Sequence, residues 1–83
     1  MNDAARRRYT SLLTEISLTP GVGWHTLRRE LESVHNIVAT AVGVRADLAV
    51  LADAGLIRWS GEVAACTERG MDVARLRAPL PEL

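Results

Sequence analysis

The stretch from Val44 to Gly70 constrains the fold of this chain more than any other part of it. In its first half, apolar residues recur at the spacing of a helix, at Val44, Leu48 and Leu51. Gly55 follows where a left-handed residue commonly ends a helix. Two short apolar runs, joined by Ser60 and Gly61, then predict a tight β-hairpin over about residues 56–67. The order helix, hairpin and helix is therefore predicted before any other part of the chain is considered.

Helical spacing elsewhere predicts that the chain is one α+β domain, residues 1–83, and mostly helical. The helices are expected at about residues 3–18, 24–34, 40–54 and 68–77. Thr40 and Thr67 are good N-cap residues for the last two of these helices. The segment from His35 to Ala39 contains two β-branched residues and is expected to form a short strand.

Charge and composition narrow the classes of function. The chain has ten basic residues, all arginine, and ten acidic residues, so its formal net charge is zero. A dedicated nucleic-acid-binding protein usually has a basic excess, so neutrality argues against tight nonspecific DNA binding but leaves a local basic face possible. No apolar run follows the N-terminal arginines and none reaches the ~20 residues of a membrane span, so a cytoplasmic protein is expected.

The sequence offers little for catalysis or metal binding. Cys66 is the only cysteine, which excludes an intramolecular disulfide and a cysteine-based zinc site. The other residues that could ligate a metal do not cluster at ligand spacing, namely His25, His35, Glu62 and Asp72. No nucleophile with a base, glycine-rich loop or carboxylate pair stands out. We expect no enzyme activity, no cofactor and no metal.

The chain resembles winged helix-turn-helix regulators of the ArsR and MarR type. The resemblance rests on a pattern of apolar and glycine positions followed by T-x-x-G, at Val44, Leu48, Leu51, Gly55, Leu56, Ile57, Thr67 and Gly70. More narrowly, it is similar to small ArsR-like proteins encoded in Mu-like prophages, in R-A-D-L-A (45–49), A-x-T-x-R-G (65–70), D-V-A (72–74) and the tail. The resemblance covers about residues 10–81 and implies a three-helix core, a short hairpin wing and a C-terminal helix.

The resemblance implies a DNA-binding transcriptional regulator, of phage or prophage origin, that binds double-stranded DNA as a homodimer. The third helix would dock in the major groove, with Arg45 facing outward near its start and Thr40 and Gly43 in its first turn. Arg28 and Arg29 of the second helix and Arg58 of the hairpin would contact phosphate. For each arginine the alternative is a solvated side chain or a pair with a nearby acid, Asp47 for Arg45 and Glu32 for the second helix.

The first and last helices are the usual dimer elements of such regulators. The residues expected at the dimer interface are therefore Tyr9, Leu12, Leu13, Met71 and Leu76, with Val50, which lies off the core stripe of the third helix, as do Asp47 and Asp53. Trp24 and Trp59 are expected in the core or in such an interface.

A second function stays open from the residues alone. A base-reading helix needs hydrogen-bonding side chains in its first turn, and here that turn is Ala41, Val42 and Gly43. With a neutral chain and a short hairpin, this turn also suits a protein-protein interaction or dimerisation module that binds no DNA.

Overall fold

The computed structural model describes all 83 residues, Met1–Leu83. It confirms a mostly helical α+β fold. The elements are α1 (Asp3–Leu18), β1 (Val22–Gly23), α2 (Trp24–Ser33), α3 (Ala41–Asp53), β2 (Ile57–Trp59), β3 (Val63–Cys66) and α4 (Glu68–Ala74). None of the helices has both the length and the apolar content that crossing a membrane requires.

The predicted N-caps of α3 and α4 are confirmed, because both threonines make the expected hydrogen bonds. The Thr40 hydroxyl accepts a hydrogen bond from the Gly43 amide at 2.9 Å and so caps α3. The Thr67 hydroxyl caps α4 in the same way, accepting from the Gly70 amide at 3.2 Å. Asn2 caps α1 through its side-chain oxygen, a cap that the sequence analysis did not identify.

Helices α3 and α4 end with the same pattern of backbone hydrogen bonds. After α3, the Leu56 amide donates to the Leu51 carbonyl at 3.0 Å, and Gly55 takes the left-handed conformation with φ +75°. After α4, the Arg77 amide donates to the Asp72 carbonyl at 2.8 Å, and Leu76 takes the left-handed position with φ +60°. The prediction that α4 extends to residue 77 was therefore wrong, since this turn ends the helix at Ala74 without a glycine.

The short strand lies in a different place from the predicted one. Residues 35–39 form no strand, because Asn36 has φ +57° and turns the chain toward α3. The strand is β1, just before α2, and it pairs antiparallel with β3 in a sheet of order β1-β3-β2. The Gly21 amide donates to the Ala64 carbonyl at 2.9 Å and the Trp24 amide to the Glu62 carbonyl at 3.1 Å. These bonds join the start of α2 to the end of the hairpin.

The hairpin itself differs from the prediction only at its turn. Ser60, Gly61 and Glu62 separate β2 from β3, so Glu62 belongs to the turn and not to a strand. The Ser60 hydroxyl accepts hydrogen bonds from the Val63 amide at 3.1 Å and the Glu62 amide at 3.2 Å. One serine side chain therefore stabilises the whole turn.

The core contains fifteen buried apolar residues, contributed by every element. Tyr9, Leu12 and Leu13 of α1 are among them, and the two leucines have no exposed surface. Because these side chains are packed inside a single chain, they offer almost no surface to the dimer partner predicted for them. Gly70 lies so close to β2 that a Cβ atom on it would be 1.9 Å from the Leu56 carbonyl oxygen.

An ion pair joins the first helix to the third. The Arg8 Nε donates to Oδ2 of Asp47 at 2.8 Å, and this hydrogen bond is the main reason that the pKa of Arg8 is raised. Asp47 is only 8% exposed, so the expectation that it lies off the core side of α3 was wrong. The pair fixes α3 against α1 and leaves Arg45 without this carboxylate.

Candidate nucleic-acid interface

The outer side of α3 is mostly apolar and carries one positive charge. Its core side faces inward through Val44, Asp47, Leu48 and Leu51, and the side chains on the opposite side are exposed, namely Val42, Arg45, Ala46, Ala49 and Asp53. Among the exposed side chains of its first three turns, only Arg45 can donate hydrogen bonds.

Arg45 lies against an aromatic side chain of α2. Its guanidinium carbon is 5.5 Å from the centroid of the Trp24 ring, which is a cation–π geometry. The Trp24 ring is stacked on His25 with centroids 3.6 Å apart and an angle of 28° between planes. Trp24 is half-buried and packs against the core, as expected, while part of its ring supports an exposed arginine.

Arg28 is fixed at the start of α3. Its Nε donates to the Ala39 carbonyl oxygen at 2.9 Å, one residue before the Thr40 cap. The guanidinium is exposed, and no hydrogen bond engages its two terminal nitrogens. Arg29 is also exposed and lines a shallow depression with Arg28, His25 and Glu32. The structure therefore places Arg28 beside the start of α3, with Arg29 next to it on α2.

Thr40 and Gly43 have a structural role at this position. The threonine hydroxyl is used in capping, and a Cβ on Gly43 would lie 3.0 Å from that hydroxyl oxygen. Gly43 therefore leaves room for the cap, which fixes the first turn of α3.

Arg58 lies apart from the other three arginines. It is exposed on the face of β2 opposite the buried Ile57, as strand alternation predicts, and its neighbour across the sheet is Ala65. A shallow groove on this face of the sheet is lined by Arg58, Gly21 and the end of the hairpin. Arg28 and Arg29 line a different depression.

The four arginines are free of carboxylate partners. Four ion pairs occur in the molecule, and they join Arg8 to Asp47, His35 to Glu15, Arg77 to Asp72 and the Met1 amine to Glu82. None includes Arg28, Arg29, Arg45 or Arg58, although Glu32 lines the same depression as Arg28 and Arg29. Arg28 and Arg45 therefore present positive groups without ion-pair partners at the start and on the outer side of α3.

Three other residues predicted at a dimer interface have different surroundings. Val50 and Met71 are half-buried, and Val50 packs against the core. Leu76 is 88% exposed and lies beyond the end of α4, so it does not share a helical face with Met71. Only Leu76 of the six predicted residues has most of its side chain available to a partner.

The side chains that could ligate a metal or act as a nucleophile are dispersed. No three His, Cys, Asp or Glu residues come together as a metal site requires. Cys66 is half-buried, its thiol donates to the Leu13 carbonyl oxygen at 3.8 Å, and burial raises the pKa of this thiol.

Trp24 is the residue of this surface that the sequence analysis missed. It was expected in the core or in a dimer interface, because a tryptophan at helical spacing usually packs inside. Its contact with Arg45 joins residues 21 positions apart on two helices, so no local pattern reveals it.

Comparisons of the chain with models of known protein families, with curated proteins and with solved structures found no match.

Proposed function

We propose that this protein is a winged helix-turn-helix that binds double-stranded DNA through α2, α3 and the hairpin. The observation that carries the proposal is the position of two exposed arginines without ion pairs: Arg45 lies on the outer side of α3, and Arg28 donates to the carbonyl just before the α3 cap. Arg29 and Arg58 are also exposed and form no ion pair. Arginine forms strong hydrogen bonds with phosphate, and an unpaired guanidinium has no ion pair to lose on binding.

The order of the elements supports the same proposal. Three helices precede a hairpin, and α3 is a 13-residue helix with one exposed side, long enough to lie in a major groove. Arg28 beside the N-terminus of α3 would contact phosphate while α3 approaches the bases. A two-fold symmetric DNA site bound by two copies of the chain, as in other helix-turn-helix regulators, remains part of the proposal.

The test is fluorescence anisotropy with a labelled random-sequence duplex library. If Arg28, Arg29, Arg45 and Arg58 each neutralise one phosphate or equivalent charge, affinity falls about 150-fold between about 50 mM and 200 mM salt. Replacing all four with alanine removes most of that salt dependence. Arg75→Ala is the matched control, because Arg75 is exposed at the end of α4 and forms no ion pair.

The protein-protein alternative is favoured by a different observation. Val34, Val38 and Val42 are 60%, 84% and 80% exposed, and they surround the connection between α2 and α3. Three exposed valines along one connection form an apolar surface that suits a protein partner. Absence of duplex binding at low salt, where charge contacts are strongest, would overturn the DNA proposal in favour of this one.

A further inference from the structure

We propose that Trp24 is a positioning residue that holds Arg45 for contact with a guanine in the major groove. The inference rests on the proposed DNA-binding function and deepens it, because it names the base that is read and the side chain that sets the geometry. It is carried by the 5.5 Å separation of the Arg45 guanidinium carbon and the Trp24 ring centroid.

Guanine follows from the side chains on the outer side of α3. Val42, Ala46 and Ala49 have no donors or acceptors, and Asp53 lies at the far end of the helix, so Arg45 is the one exposed side chain of the first three turns that can form hydrogen bonds to base edges. An arginine that points into the major groove pairs best with the O6 and N7 acceptors of guanine, through two donors of its planar guanidinium. We therefore expect one guanine in each half of the two-fold symmetric DNA site to determine sequence specificity.

Trp24 is suited to restrict the Arg45 side chain before DNA arrives. A free arginine side chain has several rotatable bonds, and its ordering on binding costs free energy. The face of an indole ring attracts a guanidinium, and the rest of the Trp24 side chain is fixed by packing against the core. The stack of Trp24 on His25 supports the ring from a second side chain.

The absence of any carboxylate at Arg45 separates this arrangement from an ordinary surface ion pair. Asp47, two residues away, is engaged by Arg8 at 2.8 Å. The aromatic contact therefore orients Arg45 without neutralising its charge, which leaves its donors available to a base.

The experiment begins with selection of duplexes from a random-sequence library on the full-length protein. The selected duplex is then synthesised with guanine and with 7-deazaguanine, which lacks the N7 acceptor, and the two affinities are compared as a ratio. The wild-type protein should prefer guanine by roughly fivefold to tenfold, because one of two hydrogen bonds is lost with the analogue. Arg45→Ala removes the donors and should lower this preference to near one.

Trp24 is tested by three substitutions. Trp24→Leu should reduce the preference for guanine by about twofold to fivefold, the size of an exposed cation–π contact. Trp24→Phe and Trp24→Tyr keep an aromatic face and should retain part of the preference for guanine. They provide the test of the aromatic contact if the leucine variant does not fold. A purely structural role for Trp24 would change overall affinity or stability and leave the ratio unchanged.

The results separate three claims. Failure to bind any duplex would overturn the proposed function itself. Duplex binding without enrichment of a site, an enriched site without guanine, or an equal affinity for 7-deazaguanine would overturn the guanine assignment and with it the role of Trp24. A full preference for guanine in folded Trp24→Leu would overturn the role of Trp24.

Discussion

Leu76 occupies a backbone conformation that suits glycine better than any other residue. Its φ is +60° and its side chain is 88% exposed, so the leucine carries the steric cost of this conformation with little burial to offset it. The equivalent residue after α3 is Gly55, in the same hydrogen-bonding pattern. The same turn therefore follows both helices, with glycine in the left-handed position after α3 and leucine after α4. Only glycine adopts that conformation without steric cost.

We therefore predict that Leu76→Gly stabilises the protein by about 0.5–1 kcal/mol, the relief of strain less the greater flexibility of glycine in the unfolded chain. Urea unfolding measures the change. Leu76→Ala is the control, because it removes the same exposed atoms but keeps the Cβ that causes the strain, and its stability should stay near that of the wild type. A less stable glycine variant would mean that the leucine side chain makes contacts that matter, such as those of a dimer.

At the scale of the elements, the position of α4 depends on a close approach of backbone atoms. The first turn of α4 contacts the chain at Leu56, just before β2, and Gly70 has no side chain that would separate them. The Thr67 hydroxyl strengthens this junction, because it donates to the Gly55 carbonyl at 2.7 Å and also caps α4. The end of α3, the start of β2 and the start of α4 therefore form one packed joint.

We predict that Gly70→Ala destabilises the protein by about 3 kcal/mol or more, because the new methyl group would overlap a backbone carbonyl that cannot rotate away. Thermal or urea unfolding followed by circular dichroism measures the loss. At Gly23, by contrast, a Cβ would meet only the Glu62 carbonyl oxygen at 3.8 Å, an ordinary contact. Gly23→Ala should therefore cost less than about 1 kcal/mol, and equal effects of the two changes would argue against the close approach.

The elements that could be predicted from the sequence are those that leave a local signal. Apolar spacing, Thr40 and Gly55 predict α3 to within a residue at each end. Strand β1 leaves no such signal, since it has two residues and exists only because β3, about forty residues later, supplies its partners. The end of α4 was missed because Leu76 occupies a position where the sequence pattern predicts glycine.

At the scale of the whole molecule, the pair of Arg8 and Asp47 connects helices that are distant in the chain. These residues are 39 positions apart, and a buried carboxylate on α3 is satisfied by a guanidinium on α1. A sequence shows a charge but not its partner, so Asp47 was placed near Arg45 as a possible neighbour. The arginines of the candidate interface could be named from the sequence, whereas their lack of ion pairs required the fold.

We predict that Arg8→Ala lowers the free energy of unfolding by about 1–3 kcal/mol, because it leaves the Asp47 carboxylate buried without its partner. The lower part of this range is favoured by the partial exposure of Arg8, which admits water to the carboxylate. Arg6→Ala, on an exposed part of the same helix, is the control and should change little. Replacement of both partners, Arg8→Met with Asp47→Leu, should recover most of the loss, and no loss in the single variant would contradict the pairing.

The short strand β1 has a consequence for how any partner is met. Its bonds to β3 continue directly into α2, through the Trp24 amide and the Glu62 carbonyl, so the hairpin is fastened at its far end as well as at its base. A hairpin held in this way contributes little conformational entropy in the free protein and has little to lose on association. A binding partner would therefore meet α2 and the hairpin as one preorganised unit. The rate of association would then be set by diffusion and orientation, and not by a conformational change of the hairpin.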